Sequence, residues 1–184
     1  MRAADEAEFR EYAGARLPWL RRTAFLIAGD WHLAEDAAST VLAKVYQRWG
    51  KLRRLDNLDA YVRTMLVRAV TDEHRRPWRR ETPTHTPAEL APVGGRQALG
   101  APGDVVHDRV VLWDALLRVP SGRRAVLVLR FFEDLSVEET ATALGCSVGT
   151  VKSQTSRGLD SLREVLPEDY LQRGSSAASE GGAR

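Results

Sequence analysis

Between residues 81 and 103 the chain loses all regular apolar spacing. Pro83, Pro87, Pro92 and Pro102, half of the eight prolines in the sequence, fall there with Gly94, Gly95, Gly100 and Gly103. Proline removes a backbone donor and glycine raises the entropy cost of ordering. With so few apolar side chains, the segment cannot bury enough surface to offset that cost. Residues 81–104 therefore read as a flexible linker. In a chain of 184 residues this leaves two small units, 1–80 and 105–171, each near the size at which one core barely sustains a fold. Residues 172–184, rich in Gly, Ser and Ala, read as a disordered tail.

On both sides of the linker the apolar residues recur at helical spacing. Phe9, Tyr12 and Ala13 begin a stripe that continues through Leu20, Ala24 and Ile27, with Pro18 expected to kink or divide that helix. Asp30 can cap a second helix burying Leu33, Ala37, Val41, Leu42, Val45 and Trp49. Asp56 or Asn57 can cap a third, whose stripe is Leu58, Tyr61, Val62, Met65, Leu66 and Ala69. After the linker, Val110, Trp113, Leu116 and Leu117 share one helix, and Pro120 introduces another with Ala125, Val126, Leu129 and Phe132. Ser136 and Glu139 fit a capping box, Gly145 closes the helix it opens, and Ser147 caps a last helix running to about Leu166. Alternating strand patterns are missing from both halves. The expected fold class is all-α, two small helical domains.

Residues 137–156 fit a helix-turn-helix. Counted from Val137, small Ala141 stands fifth, where a second helix would cross the first, and Gly145 stands ninth, where the turn needs positive φ. Leu144, Val148 and Val151, eighth, twelfth and fifteenth, supply the contacts between the helices. The second helix would present Ser147, Gly149, Thr150, Lys152, Ser153, Gln154 and Arg157 to a major groove. Lys152 and Arg157 can reach phosphates, and Gln154 can hydrogen-bond a base edge. An ordinary αα-corner of a helical bundle would also place Gly at the bend.

The formal charge of +2 averages unlike parts. Residues 1–80 carry 16 Lys and Arg against 11 Asp and Glu, a net of +5. Residues 81–106 carry one against three, and residues 107–184 carry 10 against 11. The basic excess peaks at Arg75, Arg76, Arg79 and Arg80, with Trp78 among them. That cluster can attract phosphates, though a solvated basic helix end is its plainer explanation.

Phe131-Phe-Glu-Asp-Leu-Ser-Val-Glu-Glu-Thr-Ala through Gly145-Cys-Ser-Val-Gly-Thr-Val-Lys-Ser resembles region 4 of bacterial group IV (extracytoplasmic-function, ECF) sigma factors, the actinobacterial SigE type in particular. Ala34-Glu-Asp and Lys44-Val-Tyr-Gln-Arg-Trp resemble region 2.2 of that family, and Asp59-Ala-Tyr-Val-Arg through Asp72-Glu-His-Arg-Arg its regions 2.3 and 2.4. The resemblance implies a promoter-specific transcription initiation factor. Region 2 would dock on the β′ coiled coil of core RNA polymerase and open the −10 element; region 4 would lie on the β flap and read the −35 element. It implies Glu35, Asp36, Ser39, Thr40 and Lys44 as polymerase contacts. It implies Arg53, Arg54, Asn57, Tyr61, Arg68, Arg75, Arg76, Trp78, Arg79 and Arg80 as contacts to −10 DNA. For Glu35 and Asp36 a solvated acidic helix start is the bland reading, and Tyr61, on the apolar stripe, is as readily a core residue as a stacking one. A cognate anti-sigma factor is common in the family, and no residue here demonstrates one.

Three positions depart from the family pattern. Ser39-Thr40 replace its usual Gln-Glu pair, Arg68 stands where Asn is frequent, and Gln154 stands where Arg is common. Gln in place of Arg favours adenine over guanine. Two other readings remain: a stand-alone helix-turn-helix regulator, and a degenerate sigma-like adaptor that binds only protein.

No catalytic chemistry and no cofactor are expected. His32, His74, His85 and His107 are too scattered for a metal site, and lone Cys146 precludes an internal disulfide and points to a reducing compartment, the cytoplasm. No apolar run approaches a membrane span. The opening Met1-Arg-Ala-Ala-Asp-Glu lacks the apolar stretch of a secretory signal.

Overall fold

The structure, a computed structural model, describes residues 3–74, 103–168 and 170. The linker over 81–102, the tail 172–184 and the cluster Arg75, Arg76, Trp78, Arg79 and Arg80 lie outside the described residues. Those described form helices and turns, with no strand among them. The all-α expectation is met.

The first unit is α1 (Ala3–Ala28), α2 (Trp31–Gln47), the short α3 (Trp49–Leu52) and α4 (Leu58–His74). Pro18 lies inside α1 without dividing it. Pro18 and Gly14, the residue whose carbonyl it leaves without a helical donor, are both exposed, so water can take the lost bond. Gly29, at φ 76°, ends α1, and the Asp30 carboxylate then accepts from the Leu33 amide at 2.9 Å to start α2. Asn57 starts α4 in the same way, accepting from the Ala60 amide at 3.0 Å.

The second unit is α5 (Gly103–Arg118), α6 (Ser121–Leu127), a π-helical turn (Val128–Phe132), α7 (Val137–Leu144) and α8 (Val148–Val165). α5 begins at Gly103 and so takes up the last two residues of the expected linker. The capping box at Ser136 and Glu139 forms in both directions, and Gly145 turns the chain at φ 64°.

The two units share one apolar core. Leu20, Phe25, Ile27, Val41, Val45, Val62, Leu66 and Val70 of the first are continuous with Leu116, Val119, Leu127 and Leu129 of the second. Across the junction α1 packs on α6, and α4 packs on α7. A smaller cluster of Val126, Ala141 and Val151 holds α7 and α8 together. α8 approaches α6 so closely at Gly158 that a Cβ there would meet Leu127 at 3.1 Å.

Candidate nucleic-acid and polymerase interface

The helix-turn-helix forms as its spacing requires. Ala141 is buried beneath α8 and Val151 fills the angle between the helices. At the start of α8 the Ser147 hydroxyl accepts from the Thr150 amide at 3.1 Å and lies 2.9 Å from the Thr150 hydroxyl. Ser147, Gly149, Thr150, Lys152, Ser153 and Arg157 are exposed, and Gln154 is half-buried. This slim, polar helix end is the shape that enters a major groove. Beside it runs a shallow groove lined by Arg130, Lys152, Thr155, Ser156 and Arg163. The sequence reading did not single out Arg130 or Arg163. Arg163 shares α8 with Lys152, so helical register could have found it, whereas Arg130 comes from the π-helical turn and no spacing relates it to them.

In the first unit Glu35, Asp36, Ser39, Thr40 and Lys44 are exposed on one side of α2, opposite buried Ala34, Ala37, Ala38, Val41 and Val45. Glu35 pairs with Arg21 of α1. On α4, Tyr61 is 36% exposed, so the core role open to it in the sequence is not the one it takes. Arg68, two turns on, is exposed on the same side. Burial instead falls on Val62, Leu66, Val67 and Val70. Arg54 is exposed. Arg53 is held within the unit, 2.6 Å from Glu8 and 3.1 Å from Asp5. The Glu8 hydrogen bond and both carboxylate charges hold its guanidinium above its usual range. Asn57 is occupied as the α4 cap.

At the α1–α4 contact Tyr12 donates to Asp59 at 3.2 Å, and Asp59 also pairs with Arg16. Burial and then the Asp59 charge push the Tyr12 phenol up to about 12. This contact is a structural tie. Among the described residues no cluster of His, Cys, Asp and Glu fits a metal ion, and Cys146 is half-buried at the helix-turn-helix bend.

Comparison with known proteins finds a match in each half of the chain. Residues 13–80 match the family model for Sigma-70 region 2, and residues 109–162 match that for Sigma-70, region 4. The RNA polymerase sigma-E factor of Streptomyces coelicolor is 38% identical over 159 residues, 86% of each chain. The ECF RNA polymerase sigma factor SigM of Mycobacterium tuberculosis is 28% identical over 94% of this chain and 83% of its own. This chain belongs to the ECF sigma factors. A solved sigma factor RpoE from Bartonella quintana, in complex with the anti-sigma factor NepR, shares the fold, with a TM-score of 0.61 at 23% identity over 86% of this chain and 96% of its own.

The polar groups that join the two sigma regions were not legible in the sequence. Arg124 of α6 is 5% exposed and pairs with no carboxylate among the described residues. It donates to the carbonyls of Ile27 at 3.0 Å, Ala28 at 2.9 Å and Leu117 at 2.6 Å. These are the C-terminal carbonyls of α1 and α5, the negative ends of both helices. Burial lowers the Arg124 guanidinium to about 10, so it stays charged at neutral pH. Glu133, its side chain 5% exposed, accepts from the Trp19 indole at 2.9 Å, the Thr23 hydroxyl at 2.6 Å and Arg63 at 3.3 Å. Arg63 also lies over the Trp19 ring, and Arg22 over Phe132. The π-helical turn and the left-handed Asp134 that follows, at φ 51°, aim Phe132 and Glu133 at region 2.

Proposed function

We propose that this sigma factor binds core RNA polymerase and directs promoter-specific transcription initiation, region 2 opening the −10 element and region 4 reading the −35 element. The exposed N-terminal turn of α8 in a chain that also carries region 2 supports this reading best. A stand-alone regulator would need region 4 alone. In region 2, the exposed side of α2 around Asp36 is the docking face for the β′ coiled coil, with Glu35, Ser39, Thr40 and Lys44 beside it. Tyr61 and Arg68 face the unwinding strand, and Arg54 reaches its backbone. The basic cluster from Arg75 to Arg80, next in sequence, attracts the phosphates of the same DNA, with Trp78 as its stacking residue.

In region 4, Lys152 and Arg157 hold phosphates while Gln154 reads a base, and the region rests on the β flap. The protein contributes binding and melting without catalysing a reaction, and it works where polymerase works, in the cytoplasm. None of the described helices is long and apolar enough to cross a membrane. An anti-sigma factor belongs to the same reading, since the Bartonella sigma factor is solved with one bound. Run-off transcription with core polymerase on a genomic promoter library tests it. Core-dependent transcripts sharing a −10 and a −35 element are expected, and none at any chain concentration would defeat the proposal.

A further inference from the structure

Asp5, Glu8, Tyr12 and Arg16 follow one another along α1 at spacings of three, four and four, so they share one side of the helix. All four bond the segment that leads from α3 into α4. Arg53 lies 3.1 Å from Asp5 and 2.6 Å from Glu8, which takes up both terminal nitrogens of its guanidinium. Further along, Asp59 accepts from Tyr12 at 3.2 Å and pairs with Arg16. Phe9 and Tyr12 press on buried Trp49, their ring centres 5.3 and 5.2 Å from its own. Arg53 stands one helical turn beyond Trp49. The stripe thus meets both ends of one short segment. Asp5, Glu8 and Tyr12 precede residues 13–80, the part that matches the region 2 family model, so that match assigns them no role.

Between these anchors the side chains do not fix the turn by burial. Arg54, Leu55 and Asp56 are all exposed, Leu55 to 43%. The amides of Arg53, Arg54 and Leu55 bond the carbonyls of Trp49, Lys51 and Leu52, and Asn57 caps α4. A solvent-exposed turn of this kind opens readily unless its ends are held. Arg54 stands three residues before Asn57, and Tyr61 one helical turn after it, so the held turn leads directly into the exposed side of α4.

We infer that Arg53, gripped by Asp5 and Glu8, is a positioning residue: it pre-sets the turn over residues 53–57 that presents Arg54 to the DNA strand region 2 unwinds. The inference rests on the sigma-factor reading above and gives Arg53 a part other than direct DNA contact. To hold a phosphate, its guanidinium would first have to give up two carboxylates. A turn ordered in advance binds more strongly, because no ordering cost is incurred on meeting the strand.

Asp5→Asn with Glu8→Gln removes both charges that grip Arg53 and leaves the arginine in place. In the free chain the amides of Arg53, Arg54 and Leu55 should then exchange with solvent about threefold to tenfold faster, the effect of losing two exposed ion pairs. In the holoenzyme, permanganate reactivity should develop more slowly, by a similar factor, at the −10 element of a promoter recovered from the run-off library. Core binding and the melting temperature should stay close to wild type. Faster opening would show that the carboxylates mask a DNA-binding arginine, and the positioning role would fall. Unchanged exchange would overturn it as well.

Should that variant melt well below the wild type, a charge swap decides. Arg53→Glu alone should slow opening, and adding Glu8→Arg, which restores the pair with its charges exchanged, should recover most of the wild-type rate. A swap cannot rescue an arginine needed for phosphate, so a double variant as slow as Arg53→Glu would overturn the inference. Opening untouched by any of these changes would sink the positioning role and leave the sigma-factor reading standing. A wild-type chain that directs no transcript, its turn still slowed in exchange by Asp5 and Glu8, would defeat the sigma-factor reading and leave the held turn standing.

Discussion

A Cβ on Gly29 would lie 3.2 Å from Nη2 of Arg124. Gly29 turns the chain out of α1 at φ 76°, a backbone region that side chains resist, and it does so where the guanidinium bonds the last carbonyls of that helix. One residue thus meets two demands. Gly29→Ala should destabilise the protein by about 1–3 kcal/mol, combining backbone strain with displacement of a buried charge. Urea unfolding followed by circular dichroism measures it. A loss under about 0.5 kcal/mol would mean that the loop and Arg124 reshape freely.

The capping box of α7 makes a pH prediction whose sign is fixed. The Ser136 amide and hydroxyl, with a smaller contribution from Arg63, hold the Glu139 carboxyl below its ordinary value. A group depressed in the folded state stabilises the fold above its unfolded pKa of about 4.3. That contribution is lost as pH falls through the folded value. Stability should therefore decline on acidification below about pH 5, and Glu139→Gln should flatten part of that decline. Thermal melts from pH 7 downward check it; parallel curves for the two proteins would remove Glu139 from the account. Ser136→Ala should cost about 0.5–2 kcal/mol at neutral pH, the range for a lost N-cap.

How far the sequence was legible depends on whether a signal was local. Asp30, Asn57, Ser136, Gly145 and Ser147 act on neighbours within a few residues, and each takes the capping or turn role its position implied. The helix-turn-helix is equally local. Tyr61 was ambiguous because it shares the stripe of Val62 and Met65, and which side of α4 is buried depends on the helices packed against it. Arg124 and Glu133 carried no signal, because their partners lie 70 to 114 residues away for Glu133 and 96 and 97 away across the junction for Arg124. A buried charge satisfied by distant backbone has no spacing to read. Arg53 illustrates the converse: the family resemblance pointed it to DNA, while Asp5 and Glu8 occupy it in the folded unit.

Asp36 is exposed on α2, whereas neighbouring Glu35 already pairs with Arg21. If this side of α2 docks on a basic polymerase helix, Asp36→Arg places like charges in contact and should weaken core binding by tenfold or more, on the order of 1.4 kcal/mol or above. The substitution is far from the buried core, so the melting temperature should stay near that of the wild type. Fluorescence anisotropy with core polymerase measures the affinity. Unchanged binding would move the docking face elsewhere on region 2.

Gln154 is half-buried on α8 between exposed Ser153 and the half-buried Thr155, so part of it stays open to a groove. A side-chain amide bonds adenine in two places, and such a contact discriminates against the wrong base by about 1–3 kcal/mol. Gln154→Ala should therefore flatten the preference at one −35 base pair and leave the others intact. Lys152→Ala should instead weaken binding evenly across sequences and reduce its salt dependence by about one phosphate contact. Measuring both variants on a randomised −35 library separates the two behaviours. An even loss for Gln154→Ala would assign that residue to the backbone, and sequence reading would then fall to the hydroxyls of Thr150 and Ser153. Those hydroxyls already have internal partners, Thr150 with Ser147 and Ser153 with the Thr150 carbonyl, which is why the base contact is assigned to Gln154.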